Sequence, residues 1–379
     1  MSWTDRIALY KKIEEKRKRP LIVYVTSKRP GAWTHMSTDA IPSIIEQIDA
    51  LPDDSKALDF LIVSYGGDPM VAWRIMTLIR QRVGKGGKVG VMIPQSAYSA
   101  ATLVAFGGDE IIMHPNGHLG PVDMQITMPG GTGQAAKTFS TEDISAFLDF
   151  VRDSLKITDQ EHIRALFELT CKEVSSLGIG LTARSSKLAV DLGERLLALH
   201  MKTEDAVSKP RSIAENMSRK FQSHAYPVNR TEALEIGLPV NKVQDKSLEK
   251  LMWDVWLDIE SELKERTPFD IVIELLNSPE AAKLLSPVPQ FDVPASITVG
   301  SHFNTTLTDI MTHAPTTVNP VDFETTNAIV ESSRLAFGNV TKGKILACRT
   351  PDLVIKFNRY YTSAQWEKLP AAAKKEEKA

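Results

Sequence analysis

Two periods organise the apolar residues of this chain. Leu21-Ile22-Val23-Tyr24-Val25 is a short run rich in β-branched residues with no polar break, the pattern of a buried strand. Between Asp39 and Leu51 the apolar positions 41, 44, 45, 48 and 51 follow helical spacing. The same two patterns then alternate. Leu58 to Val63 reads as a strand, Met70 to Val83 as a helix and Val89 to Ile93 as a strand. Ser99 to Phe106 reads as a helix of small residues, and Glu110 to Met113 as a fourth strand. Strand–helix alternation predicts an α/β fold with a largely parallel sheet. In such sheets, sites form where strand ends feed helix starts.

The alternation stops near residue 126. Met128-Pro129-Gly130-Gly131-Thr132-Gly133 predicts a loop, and residues 141–225 read as almost wholly helical. Helices are expected from Thr141, over Asp159 to Val174 and over Ser186 to His200. Arg230 to Ile236 predicts a short helix stopped by Gly237 and followed by a last strand at Val240. Trp253 to Glu265 continues as a helix. After about residue 270, Pro, Thr, Ser and Asn become frequent. Only short alternating pieces follow, such as Lys344 to Ala347 and Leu353 to Phe357. These shifts divide the chain into an N-terminal basic helix (1–20), a core (21–245) with a helical insertion (141–225), a C-terminal helix with a small mixed appendage (246–369), and a frayed tail (370–379). The basic run of residues 11–19 reads as a solvated helix; a contact with an acidic partner or a membrane surface is the alternative.

Composition narrows the class. The 379 residues are 42% hydrophobic and 24% charged, ordinary globular values. A net charge of -2 gives no global pull toward nucleic acid, and no nucleic-acid partner is expected. Cys171 and Cys348 are the only cysteines, which excludes a disulfide framework and paired Cys-x-x-Cys zinc sites. The histidines at 35, 162, 200, 224, 302 and 313 show no metal-ligand spacing, so neither a metal nor a cofactor is expected. The polar N-terminus and the lack of a long apolar run suggest a cytoplasmic protein.

Two segments could carry chemistry. Gly66-Gly67 follows a strand and precedes a helix. Paired glycines there can aim backbone N–H groups into a cleft, or simply make a tight turn. Asp68 is expected to cap the helix that follows. Gln95-Ser96-Ala97-Tyr98-Ser99-Ala100-Ala101-Thr102 also follows a strand and opens a helix. Ser99 would sit at the helix N-terminus, where unpaired N–H groups favour developing negative charge. The plainer reading makes it an N-cap. Gly84-Lys85-Gly86-Gly87-Lys88 lacks the ending of a P-loop and reads as a turn.

The order of these pieces, followed by Asn116-Gly117-His118-Leu119-Gly120-Pro121-Val122-Asp123, resembles the Clp-fold serine peptidases. Within them it is most similar to the serine dehydrogenase proteinase family, relatives of signal peptide peptidase A, the stomatin-operon protease and the crotonases. The resemblance spans roughly residues 20–245 and implies a ClpP/crotonase-like α/β core. It places the nucleophile at Ser99 and the oxyanion-hole N–H groups at Gly67 and Ala100, with Gly66 in support. The histidine of ClpP has no counterpart, because Met124 stands at its place. A Ser-Lys dyad, as in two of the related families, would put the base at Lys137. His118 is the other candidate and could bond to Asp123. Asp123 itself is expected to shape the Gly120-Pro121-Val122-Asp123 loop more than to react. The implied activity is peptide-bond hydrolysis by a serine endopeptidase that assembles as a homo-oligomer. A crotonase-type enzyme acting on acyl thioesters and a non-catalytic scaffold are the rival readings.

Overall fold

The computed structural model describes residues 3–123, 125–128, 135–201, 209–221, 223–242, 245–285, 317–350 and 354–370. Its centre is β1 (Leu21–Thr26), a strand whose side chains alternate between two separate cores. Ile22 and Tyr24 enter one, Leu21, Val23 and Val25 the other. This is why the run has no polar position: both faces of the sheet are covered. β2 (Ala57–Val63), β3 (Lys88–Ile93) and β5 (Glu110–Met113) continue the sheet in parallel register, Leu21 opposite Asp59 and Gly90 opposite Glu110. Val240 adds a single parallel bridge to Ile111, so the expected last strand is one residue of pairing at the sheet's margin.

Sheet growth on the other side departs from the sequence expectation. β9 (Val321–Glu331), β10 (Ala336–Arg349) and β11 (Ile355–Lys368) run antiparallel and join β1 directly. The strand order is β11-β10-β9-β1-β2-β3-β5. Residues 246–369 therefore contribute three strands to the central sheet, where the sequence reading had a C-terminal helix and a small mixed appendage. β9 and β10 carry Thr, Asn, Lys and Gly between them, and their alternation is only half apolar because one face of this extension meets solvent.

One face of the sheet packs α2 (Ile41–Asp49), α3 (Pro69–Val83), α4 (Ala100–Phe106), α7 (Ser176–Ala198) and α8 (Lys209–Arg219) over the larger core. As expected, Asp68 caps α3, accepting a hydrogen bond from the Met70 N–H at 2.8 Å. The other face is covered by α1 (Trp3–Arg17) and α10 (Lys246–Glu262). The first helix is thus a packed element, not the solvated one its charges suggested. Trp3, Arg6, Tyr10 and Ile13 form its buried stripe. Arg6 interrupts the apolar pattern, but its guanidinium bonds Glu331 at 2.6 Å, Asp258 at 2.7 Å and Glu262 at 2.5 Å. Farther along, Arg17 and Arg19 converge on the buried Asp59.

The stretch from 141 onward is helical as expected, through α5 (Thr141–Asp149), a π-helical turn (Phe150–Ser154), α6 (Gln160–Val174), α7 and α8. α7 starts ten residues before the predicted Ser186. α9 (Arg230–Ile236) has an Asn229 capping box and stops at left-handed Gly237. Expectations for the 129–134 loop and for the tail from 371 lie outside the described residues.

Candidate active site

The site is built at the carboxyl ends of β2 and β3. After β3 the chain forms a two-residue strand, β4 (Ser96–Ala97), which pairs with β6 (His118–Leu119). The end of β2 holds it from the other side. Ser64 N–H donates to the Ser96 carbonyl and Tyr98 N–H to the Ser64 carbonyl, each at 3.0 Å. Ser99 is the corner between this ledge and α4. Its backbone has φ 51° and ψ -114°, which no β or α well contains for a residue with a Cβ. Such a corner costs on the order of 1–3 kcal/mol and persists only because its surroundings enforce it. The next residue, Ala100, opens α4, so its N–H has no carbonyl within the helix to bond.

Gly66 and Gly67 lie against this corner. A Cβ on Gly66 would stand 2.9 Å from the Ser99 Cβ and 2.6 Å from the Tyr98 carbonyl oxygen. A Cβ on Gly67, whose φ is +148°, would stand 2.3 Å from the Met36 carbonyl oxygen. Only glycine allows both approaches. Met36 pairs with the loop through the Gly66 carbonyl (2.8 Å) and the Asp68 N–H (2.9 Å), a pattern that does not use the Gly67 N–H.

A cleft of about 400 Å³ opens over Ser99. Gly67, Asp123 and His224 line it with Ser99, and buried Met36, Leu103 and Val122 supply apolar wall. Asp123 is 6% exposed, and its Oδ1 contacts His224 Nδ1. A carboxylate only accepts, so Nδ1 is the donor in this contact, and of the two neutral tautomers the one protonated there leaves the Nε2 lone pair free. Three backbone bonds hold the two together. Val122 N–H donates to the Met217 carbonyl at 2.9 Å, and Leu119 and Val228 exchange bonds of 2.9 and 2.8 Å on either side.

His224 is the residue that sequence reasoning missed. It sits in a turn after α8, far from the recognisable motifs, and nothing in its neighbours marks it. The expected pairing of His118 with Asp123 does not form, because His224 holds that carboxylate. His118 lies instead 3.3 Å from the Asn116 carbonyl, its ring edge on Tyr98. Burial, together with the Lys28 charge, depresses its basicity. The backbone of Lys137 lies in β8 (Lys137–Ser140), opposite Met128 of β7 (Gln125–Met128); its side chain lies outside the described residues. Tyr65 stacks on Tyr98 with ring centroids 5.1 Å apart, and burial pushes the Tyr98 hydroxyl up to about 12. Among the described residues no cluster of His, Cys, Asp and Glu is arranged to hold a metal ion.

The mixed α/β sheet with helices on both faces is consistent with a ClpP-like fold, and the first third of the chain is similar to a known family. Residues 4–145 match the family model of the ClpP-like SDH-type serine proteinases. Among curated proteins, the chain is 26% identical over 198 residues to the uncharacterized protein MJ1495 of Methanocaldococcus jannaschii, covering 52% of this chain and 56% of that one. It is 22% identical over 242 residues to the uncharacterized protein MJ0137 of the same organism, covering 62% and 73%. The match thus spans little more than half of the first relative. Among solved structures it is similar to a mutant of the 1510-N membrane-bound stomatin-specific protease, at 16% identity and a TM-score of 0.33, over 61% of this chain and 85% of that one.

Proposed function

We propose that the protein is a serine endopeptidase that cleaves peptide bonds through an acyl-enzyme on Ser99. The observation that carries this reading is the meeting of Ser99, Asp123 and His224 in one cleft, with Ser99 on a strained corner at a helix start. In this reading His224 Nε2 takes the hydroxyl proton as Oγ attacks the carbonyl carbon. Asp123 holds the imidazole and stabilises its protonated form. The Gly67 and Ala100 N–H groups receive the oxyanion; one such donor is typically worth about 2.7–4 kcal/mol in the transition state. His224 then gives its proton to the leaving amine. Water, activated by the same nitrogen, releases the acyl group.

Lys137 is the rival base, on the strength of the resemblance alone. Labelling with a fluorophosphonate probe separates the two. Wild type should label and Ser99→Ala should not. His224→Ala should slow labelling by about 10²–10⁴-fold, with Lys137→Ala close to wild type. Labelling lost with Lys137→Ala and kept with His224→Ala would establish the dyad instead. A folded wild type that does not label, or acyl-thioester turnover that survives Ser99→Ala, would overturn the peptidase reading.

The working form is proposed to be a closed homo-oligomer. Support comes from α6, which has no buried residue, and from the exposed Phe150, Phe167, Leu169 and Leu177 around it. No helix among the described residues is long and apolar enough to cross a membrane.

A further inference from the structure

A second hollow, of about 260 Å³, is lined by residues 31–34, which run directly into the His35 and Met36 that line the cleft. Trp33, Phe269, Phe323 and Tyr361 line it, with Asn327 and Arg359 among the polar groups. Three features set it apart from ordinary surface. Trp33 is 64% exposed at its rim and offers an open aromatic face to a ligand in the hollow. The Arg359 guanidinium lies over the rings of Phe269 and Tyr361, at 5.7 and 5.1 Å, and has no carboxylate partner among the described residues. The hollow also adjoins the cleft. Trp33 lines the hollow and His35 lines the cleft, and their rings touch with centroids 4.9 Å apart.

We propose that this hollow is a second subsite for the polypeptide substrate, holding an aromatic or apolar side chain next to an acidic one. The inference rests on the peptidase reading for the identity of the occupant. A peptide stretched through the cleft advances roughly 3.3 Å per residue, so a few residues carry it over the Trp33–His35 ridge. There the aromatic lining takes the apolar side chain. Arg359, preoriented by the two rings, offers its N–H fork to a carboxylate. The subsite thereby selects substrates by a feature outside the scissile bond and by a minimum length.

The test uses the full chain carrying Ser99→Ala, so that binding is read without turnover. The probes are fluorescein-labelled peptides of about 18 residues, with a Phe-Glu or a Phe-Lys pair about four to eight residues to either side of the centre. Fluorescence anisotropy should show the best Phe-Glu peptide binding at least about tenfold tighter than its Phe-Lys counterpart. Arg359→Ala and Trp33→Ala, both at exposed positions, should each remove that preference. Equal affinity for the two peptides, or a preference that survives Arg359→Ala, overturns the proposal. Failure of the peptidase reading has a different signature. Wild type would then not label with the fluorophosphonate probe, whatever the anisotropy shows.

Discussion

Ser99 is held in a backbone conformation that its own side chain opposes. The hydroxyl alone does not explain that cost, but the geometry does: the corner turns the chain from the β4 ledge into α4, with Ser99 at the helix start. Replacing the residue separates strain from chemistry. Ser99→Gly should be more stable than Ser99→Ala by about 1–3 kcal/mol, read from chemical denaturation, because glycine adopts φ 51° freely. Both variants should lose labelling. Equal stability would mean that the corner is relaxed. At this scale the sequence was informative where backbone need dictated residue type. Gly66-Gly67 and the small residues after Ser99 could be picked out because only they fit. His224 could not, because a turn histidine is brought to Asp123 by tertiary pairing of Leu119 with Val228, and no local pattern encodes that.

Among the elements, α1 shows how a charge can conceal a buried face. Trp3, Arg6, Tyr10 and Ile13 lie on one stripe, yet an arginine in the stripe makes it look polar. Its partners come from α10 and from β9, more than 250 residues away in sequence. Removing the cation would leave Glu331, which is 0% exposed, as a buried carboxylate without its counter-charge, with the Tyr10 hydroxyl still donating to it at 2.7 Å. Arg6→Met is therefore expected to destabilise the protein by about 3–5 kcal/mol in urea titration. A loss below about 1 kcal/mol would show that the network contributes little. The parallel strands β1, β2, β3 and β5 were readable because both faces are apolar. β9, β10 and β11 were not, since a sheet extension with one wet side mixes Thr, Asn and Lys into its alternation.

For the whole molecule, a sheet whose parallel part is covered on both faces places the cleft on the side of α3, α4 and α7, while α1 and α10 close the back. The helical stretch beyond β8 is the least self-contained part. A fifteen-residue helix with no buried residue gains little from its own fold. Sedimentation velocity should therefore show an oligomer that Leu177→Glu together with Phe167→Glu converts to smaller species. A monomer at all concentrations in wild type would refute the assembly. The pairing of β1 with β9 has a further bearing on how the chain is made. Val23 is opposite Glu331, so the central strand finds this neighbour only after about 300 further residues have been synthesised. At about 5–20 residues per second that interval is on the order of tens of seconds. Through it, a β-branched strand stands with one edge open, the condition in which nascent chains pair wrongly with one another. Biogenesis of this protein thus calls for that edge to stay shielded until β9 arrives.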